Sequence, residues 1–207
     1  MAVFLFDFDG VIADTLQTEI KYFLPISKKN NLGISSVQDL VSLCNENVFK
    51  SLHARGISIP LYLQAYNEFY DVLSKEKYIT KPFPGMIALL KETALKYPVY
   101  IVTSNIYKFP DDMLSKYKIT GIRGILSAET ENSKVKKINS VKEKYPNDRI
   151  YFITDTKGDV IEAHESAADI VVAVTWGWHS RDLLETSNAD IIIDSVLELQ
   201  EYIGSAI

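Results

Sequence analysis

The chain has 207 residues, of which 47% are hydrophobic and 24% charged, and its mean hydropathy is close to zero. These values are typical of a globular protein and exclude a disordered chain, which combines low hydrophobicity with high net charge. The formal charge of −5 argues against nucleic-acid binding, because phosphate contacts from Lys and Arg supply much of that affinity.

Six short runs of β-branched and aromatic residues predict strands, and polar turn residues follow each of them. In chain order the runs are residues 2–6, 99–102, 124–127, 149–154, 169–174 and 190–193. Their apolar residues are nearly continuous rather than alternating, which is typical of strands buried on both faces of a parallel sheet.

Apolar residues recur at helical spacing between these runs from residue 84 onward. One stripe over residues 86–94 ends before Pro98, a second over 135–145 ends before Pro146, and a third covers 160–168. Residues 195–198 form a capping-box pattern that opens a last short helix. Helices and strands therefore alternate, which predicts an α/β fold with a doubly wound, mainly parallel sheet.

The stretch from residue 15 to 83 interrupts this alternation and contains no convincing strand. Residues 35–38 form a possible capping box. Tyr62, Tyr66, Phe69 and Leu73 recur at helical spacing after Pro60 and predict a packed helix face. We expect a helical insertion that lies over the carboxyl end of the first strand.

The chain contains one cysteine, Cys44, so no disulfide can form within it. A reducing, cytoplasmic setting is expected on that basis. No apolar run approaches the ~20 residues of a membrane helix, and the N-terminus lacks the pattern of a signal peptide. Neither nucleic acid nor a membrane is an expected partner.

Two aspartates, Asp7 and Asp9, stand directly after the first strand. Residues two apart on a strand point to the same side, so their carboxylates would repel each other unless a cation or a proton lay between them. A hard divalent ion, most simply Mg²⁺, is the natural partner of such oxygen ligands. Gly10 then allows a sharp turn. An ordinary strand-ending turn is the alternative.

Polar residues follow two further strands. Asp155 and then Asp159 come after the fourth strand, Thr103-Ser104-Asn105 follow the second, and Lys134 opens a helix. Ligands of open α/β sheets bind beyond the carboxyl ends of the strands. Carboxylates, a hydroxyl and a lysine that meet there suit phosphoryl transfer, which depends on positioning and on neutralising oxygen charge.

These residues resemble the four motifs of the haloacid dehalogenase-like hydrolase superfamily. The matching positions are the run from Asp7 to Thr15, then Thr103, Lys134, and Asp155 with Asp159. Residues 83–86, 174–178 and 189–191 look like its phosphoglycolate-phosphatase-like branch. The resemblance implies a Rossmann-like core domain of residues 1–14 and 84–207, and a helical cap domain of residues 15–83 that opens and closes.

The resemblance also implies a role for each motif residue. Asp7 would be the nucleophile that forms an aspartyl-phosphate, and Asp9 the general acid and base. Asp7, the Asp9 carbonyl and Asp155 would hold Mg²⁺. Lys134 would neutralise the negative charge of the nucleophile and the phosphate. Asp159 would hold the other site residues in place without contacting the substrate. The predicted phosphate and substrate contacts are Thr103, Gly10, Ser104 and Asn105.

The implied activity is hydrolysis of a small phosphorylated metabolite by a monomer or homodimer. A phosphosugar mutase and a non-catalytic phosphometabolite-binding protein remain alternatives. Thr154 departs from the glycine that the family often has there, and its hydroxyl could narrow the loop or lie near the metal. Lys136 and Lys137 are alternatives to Lys134.

Other polar residues receive weaker predictions. Asn45, Glu46, Asn47 and Lys50 are candidates for substrate specificity in the cap. His164 lies on a helix stripe and is expected in the core. His179, beside two tryptophans after a strand, could reach the mouth of the site, but a surface loop is the stronger expectation. Cys44 is expected to be a buried small residue.

Overall fold

A computed structural model of the chain describes residues 1–205; the last two positions of the predicted core segment lie outside the described residues. Six parallel strands form one sheet in the order β3-β2-β1-β4-β5-β6, which confirms the predicted doubly wound architecture. The strands are β1 Ala2–Phe6, β2 Val99–Val102, β3 Ile122–Leu126, β4 Arg149–Thr154, β5 Ile170–Val174 and β6 Ile191–Ile193. Strand β3 begins two residues earlier than the sequence pattern predicted.

Strand β1 lies between β2 and β4, and the register of these pairs positions the site. Phe6 is level with Ile101 of β2 and with Ile153 of β4. All three strands run in the same direction and end within about one residue of each other. The residues that follow them, Asp7, Thr103 and Asp155, therefore emerge at one edge of the sheet.

Only helical elements lie between β1 and the next core helix in the described structure. They are α1 Leu16–Thr18, a π-helical turn Glu19–Phe23, α2 Leu24–Lys29, α3 Val37–Ser42, a 3₁₀ turn Leu43–Asn45, α4 Val48–Ala54 and α5 Ile59–Lys75. Helix α5 buries Tyr62, Tyr66, Phe69 and Leu73, as the spacing predicted. Phe23 of the π-helical turn packs on these rings, with centroids 4.4 Å apart for Phe23 and Tyr66.

The remaining helices cover the two faces of the sheet. They are α6 Met86–Lys96, α7 Lys108–Tyr117, α8 Lys134–Lys144, α9 Lys157–His164, α10 Arg181–Glu185 and α11 Val196–Ser205. Buried side chains of α8, α9 and α10 pack on one face, and those of α6, α7 and α11 pack on the other. Alternate residues of each strand point to opposite faces, so the strands are buried on both sides, which explains their continuous apolar runs.

The two chain segments that join the helical insertion to the sheet run side by side. Asp14 N donates to Lys81 O over 2.9 Å, and Phe83 N donates to Ile12 O over 3.0 Å. Ala13 and Pro82 form an isolated antiparallel bridge. This pairing places the insertion beside the carboxyl edge of β1, where Asp7 and Asp9 lie.

Several local predictions differ from the structure. The capping box that opens α3 pairs Ser36 with Asp39 rather than Ser35 with Gln38, because the carboxylate of Asp39 reaches back to the amide of Ser36. His164 is exposed rather than in the core, with Nε2 at 2.9 Å from Asn188 O. His179 is buried rather than at the surface.

Within residues 1–205, no helix combines the length and the apolar character that crossing a bilayer requires.

Candidate active site

The Asp7 carboxylate lies at the end of β1 and is almost completely buried. Its Oδ1 accepts a hydrogen bond of 2.7 Å from the amide of Phe8, and its Oδ2 accepts one of 2.7 Å from Lys134 Nζ. Burial raises the pKa of Asp7, and Lys134 opposes that shift. The lysine thereby helps to keep a charged oxygen at the strand end.

Lys134 is the first residue of α8, and its ammonium lies between two carboxylates. Nζ donates to Asp7 Oδ2 and, over 2.5 Å, to Asp159 Oδ2. Burial alone would lower the pKa of Lys134, but Asp159 and Asp7 raise it above its ordinary value, so the group stays an ammonium. Its backbone amide donates to the buried Glu162, which fixes the start of the helix.

The neighbouring lysines take other positions. Lys136 is exposed and pairs with Glu131 over 3.3 Å. Lys137 is buried and donates to the carbonyl oxygen of Thr103 over 2.7 Å, and burial lowers its pKa to about 7. Of the three lysines considered from the sequence, Lys134 is the one whose ammonium contacts Asp7.

Asp159 and Thr154 support Lys134 from behind. Burial alone would raise the pKa of Asp159, but Lys134 and hydrogen bonds that include the Thr154 hydroxyl lower it. Thr154 Oγ1 donates to Asp159 Oδ2 over 2.8 Å. The hydroxyl that departs from the family pattern is therefore directed at Asp159, where it helps to hold the carboxylate that anchors the lysine.

Asp9 is half-buried and is held by Asn105. Asn105 Nδ2 lies 3.0 Å from Asp9 Oδ2 and 3.3 Å from Oδ1, while its own Oδ1 accepts from the amide of Ile106. The Thr103 hydroxyl accepts from the Asn105 amide over 3.0 Å. Burial raises the pKa of Asp9, against the hydrogen bonds from Asn105. Asn105, predicted to contact substrate, lines the cavity, but its side chain is engaged with Asp9.

The surroundings of Asp155 fit a cation. Its Oδ2 accepts from the amide of Trp178 over 2.7 Å, whereas its buried Oδ1 has no hydrogen-bond partner among the described residues. Burial raises the pKa of Asp155 to about 7, which indicates that the protein alone stabilises its charge poorly. A side chain on Gly10 or Gly177 would collide with this carboxylate, so both glycines leave space around it.

The donor set is compatible with Mg²⁺ when one ligand comes from the backbone. Among residues 1–205, no three Asp, Glu, His or Cys side chains are grouped so as to hold a metal. The predicted set of Asp7, the Asp9 carbonyl and Asp155 needs only two carboxylates, and Mg²⁺ usually takes one or two together with water and phosphate oxygens. The predicted ligands therefore fit the ion chemically.

A cavity of about 50 Å³ joins these side chains to the helical insertion. On the sheet side it is lined by Asp7, Asp9, Lys134, Asp159 and the run from Thr103 to Asn105. Its opposite wall is formed mainly by Leu40, Leu43, Cys44, Val48, Tyr62 and Tyr66. The insertion thus covers the carboxylates.

The polar residues proposed for specificity do not line this cavity. Asn47 instead donates to Glu162 over 2.7 Å and to Asn132 O over 3.2 Å, so it ties the helical insertion to α9 and to the loop before α8. Glu46 contributes its backbone, which packs on Gly158 of α9. On the side of the insertion, the cavity is lined instead by apolar and tyrosine side chains.

A family comparison agrees with this geometry. The family model described as haloacid dehalogenase-like hydrolase matches residues 4–173. The chain belongs to this family. The predicted resemblance and the prediction of a hydrolase enzyme are thereby confirmed. No curated protein matches the haloacid dehalogenase-like chain by sequence.

Solved structures share the fold of this haloacid dehalogenase-like hydrolase along nearly its whole length. A haloacid dehalogenase-like family protein from Streptococcus pneumoniae is 25% identical, with a TM-score of 0.75 and 97% of each chain covered. A predicted phosphatase from Clostridium acetobutylicum is 21% identical, with a TM-score of 0.77 and coverage of 98% and 97%. A predicted phosphoglycolate phosphatase from Haemophilus somnus is 20% identical, with a TM-score of 0.74 and 96% of each chain covered.

Several residues of the site were not identified from the sequence of this hydrolase. Glu162 anchors Lys134 and Asn47, and Trp178 donates its backbone amide to Asp155 and its Nε1 to Thr15 Oγ1 over 3.2 Å. His179 Nδ1 accepts from the Lys157 amide over 3.0 Å. Trp178 ends the run 174–178 that resembles the phosphoglycolate-phosphatase-like branch, but nothing in the sequence marks its contact with Asp155 or the contacts of Glu162 and His179, because the partners are distant in the chain.

Close packing at Gly158 yields a testable prediction for this hydrolase. A methyl group there would collide with the carbonyl oxygens of Glu46 and Cys44. Because backbone moves less easily than a flexible side chain, Gly158→Ala is expected to push the helical insertion away and to lower kcat/KM for a phosphomonoester at least about tenfold.

The matched control for this prediction is Gly204→Ala in α11, where a methyl group meets nothing within 4 Å. Steady-state kinetics and circular dichroism of both variants test the packing argument. Equal kcat/KM for the two folded variants would show that contact at Gly158 does not matter for turnover.

Proposed function

We propose that this hydrolase is a Mg²⁺-dependent phosphatase that cleaves a small phosphorylated metabolite through an aspartyl-phosphate intermediate. The observation that carries the proposal is the ammonium of Lys134, which contacts Asp7 Oδ2 at 2.7 Å and is anchored by Asp159. This arrangement neutralises charge where a phosphate would meet the carboxylate. Relatives named as predicted phosphatases on the same fold support the reaction class.

In the first step, an oxygen of Asp7 attacks phosphorus, and the bond from phosphorus to the leaving oxygen breaks. Asp9 donates its proton to that leaving oxygen, so an alcohol departs. Burial raises the pKa of Asp9, which favours the protonated form that this step requires. Asn105 holds the Asp9 carboxyl in place through its amide.

In the second step, Asp9 accepts a proton from a water molecule, and the water oxygen attacks phosphorus. The bond between phosphorus and Asp7 breaks, which releases inorganic phosphate and restores the carboxylate. The Thr103 hydroxyl and the Ser104 amide would hold phosphate oxygens, and Lys134 would balance their charge. When bound, Mg²⁺ would be held by Asp7, the Asp9 carbonyl and Asp155 and would neutralise phosphate oxygens.

The direct test is phosphate release from p-nitrophenyl phosphate and from a panel of phosphorylated metabolites. Activity is expected with Mg²⁺, to fall at least ~10²-fold with EDTA, and to return when Mg²⁺ is added in excess, because a metal supplies several kcal/mol of charge stabilisation. Isomerised sugar phosphate without phosphate release would indicate a mutase. Binding of phosphate esters without turnover would indicate a non-catalytic binding protein.

A further inference from the structure

Helix α8 buries two lysine side chains about one turn apart, and the proposed reaction uses only the first of them. Lys134 contacts Asp7, whereas Lys137, which is 1% exposed, has a different partner. Its Nζ donates to the carbonyl oxygen of Thr103 over 2.7 Å, the one hydrogen bond of this amine to a described residue. Burial of an amine costs free energy that a single hydrogen bond offsets only in part. Lys137 is therefore a buried polar group whose place in the molecule the proposed reaction does not explain.

The carbonyl that Lys137 holds belongs to the same peptide unit as the amide of Ser104. Residues 1–205 contain no cis peptide bond, so this unit is trans. In a planar trans peptide the C=O and the N–H point in opposite directions. The Ser104 amide therefore points away from the buried Lys137 side chain, and Ser104 itself lines the cavity together with Asp7 and Asp9.

The amides that flank Ser104 already have acceptors within the protein. The amide of Thr103 donates to the Leu126 carbonyl over 2.9 Å. The amides of Asn105 and Ile106 donate to the side-chain oxygens of Thr103 and Asn105, over 3.0 and 2.8 Å. The Ser104 amide donates to none of the described residues. An unpaired amide in a loop that lines a polar cavity is available to an anionic ligand.

We infer that Lys137 is a positioning residue of the phosphate site: it holds the Thr103 carbonyl so that the Ser104 amide is directed at a phosphoryl oxygen of the substrate. The inference rests on the proposed phosphatase function and adds a residue to it. A donor that is oriented in advance requires no reorganisation when charge develops on the phosphoryl oxygens.

The orientation of the peptide does not depend on the charge of Lys137. The side chain carries N–H groups both as an amine and as an ammonium, so it can donate to Thr103 in either state. A charged Lys137 additionally polarises the peptide in the direction that strengthens the Ser104 donor. The effect on phosphate binding is therefore expected on both sides of the pKa of Lys137.

Lys137→Met tests the inference, because it keeps nearly the length of the side chain and removes its donor. The peptide unit is then free to rotate, and its carbonyl would repel a phosphoryl oxygen where the Ser104 amide would bind one. We expect inorganic phosphate to bind at least about tenfold more weakly with Mg²⁺ present, since a misdirected donor loses most of its benefit. Isothermal titration calorimetry measures this affinity. Lys136→Met, an exposed neighbour on the same helix, is the matched control and should bind phosphate as the wild type does.

The backbone amide resonances of the loop give a readout that a purely structural role of Lys137 would not change. In the wild type, the ¹H–¹⁵N resonance of Ser104 is expected to move downfield when inorganic phosphate is added. The resonances of Asn105 and Ile106 should move less, because their amides already have acceptors. In Lys137→Met the downfield movement of Ser104 should be lost even when phosphate is saturating. Equal phosphate affinity, or an intact Ser104 response, in the folded variant would overturn the inference.

A second variant and the wild type itself keep the test decisive if Lys137→Met does not fold. The side chain of Lys137→Gln has a polar end but is shorter, so it should not reach the Thr103 carbonyl and should show the same losses. If neither variant folds, the phosphate titration of the wild type decides the question. A Ser104 amide that moves downfield further than its neighbours supports the inference, and one that does not respond overturns it.

The outcomes separate this inference from the proposed function. If p-nitrophenyl phosphate is hydrolysed and Lys137→Met binds phosphate as tightly as the wild type, only the role of Lys137 is wrong. If the wild type hydrolyses no phosphate ester, the phosphatase proposal fails. The phosphate titrations then still decide whether Lys137 directs the Ser104 amide, because they do not require turnover.

Discussion

Asp7→Asn is expected to lower phosphate release from p-nitrophenyl phosphate at least ~10³-fold in the presence of Mg²⁺, as expected when a nucleophile is lost. An amide has nearly the shape of the carboxylate, so the variant should fold. It has no negatively charged oxygen to attack phosphorus, and it loses the ion pair with Lys134. Initial rates at saturating Mg²⁺ measure the effect.

The matched control for Asp7→Asn is Asp71→Asn, an exposed position of α5. Its rate should equal that of the wild type. Acid quenching during turnover should trap an acid-stable protein phosphate in the wild type and none in Asp7→Asn. If Asp7→Asn and the wild type hydrolyse the substrate at similar rates, the aspartyl-phosphate mechanism is wrong.

Lys134→Met is expected to reduce both stability and activity, because it leaves Asp7 and Asp159 buried without their cation. Removal of one partner of a buried ion pair typically costs about 3–5 kcal/mol of unfolding free energy. Phosphate release should fall at least ~10²-fold, since the charge at Asp7 is no longer balanced. Urea denaturation in EDTA measures the change in the free energy of unfolding without a contribution from a metal.

The pH dependence of this stability loss has a definite sign. Without the ammonium, the folded-state pKa values of both carboxyl groups rise above their unfolded values. The penalty is therefore fully present above the folded-state pKa values and shrinks as pH falls and the carboxyl groups become protonated. Lys136→Met, two residues along the same helix and exposed, should leave stability nearly unchanged. Equal urea midpoints for the two variants would show that the buried pair contributes little.

The grouping of polar residues at the carboxyl edge of the sheet was predictable, because each of them directly follows a strand in the sequence. Asp7, Thr103 and Asp155 each follow a continuous apolar run, and parallel strands must end at the same edge. The spacing of α8 likewise placed a lysine at its first turn. The proximity of these side chains could therefore be predicted without knowledge of the loop conformations.

The interface between the insertion and the sheet was less predictable, for a physical reason. Apart from α5, the helices of the insertion are short, so which face of each is buried depends on partners far along the chain. Asn47 looked available to a ligand, yet it bonds to Glu162, which is 115 residues away. Glu19 has no neighbouring motif, and its burial follows from the position of Tyr66 on α5.

Helix α7 was not predicted from the sequence. Pro110 lies near its beginning and interrupts the usual pattern, although proline is tolerated in the first turn of a helix. Phe109, Pro110 and Met113 are its buried residues. Hydrophobic residues at helical spacing elsewhere in the chain were sufficient to predict α5.

Both tryptophans of the chain lie where the insertion joins the sheet. The Trp176 indole donates to the Val11 carbonyl, and the Trp178 indole donates to the Thr15 hydroxyl, each over 3.2 Å. Trp178 also holds Asp155 through its backbone amide. Intrinsic fluorescence therefore has its only indole sources at the junction of the insertion and the sheet and beside Asp155, so emission is expected to respond to cation binding at Asp155 and to any movement at this junction, without an attached dye.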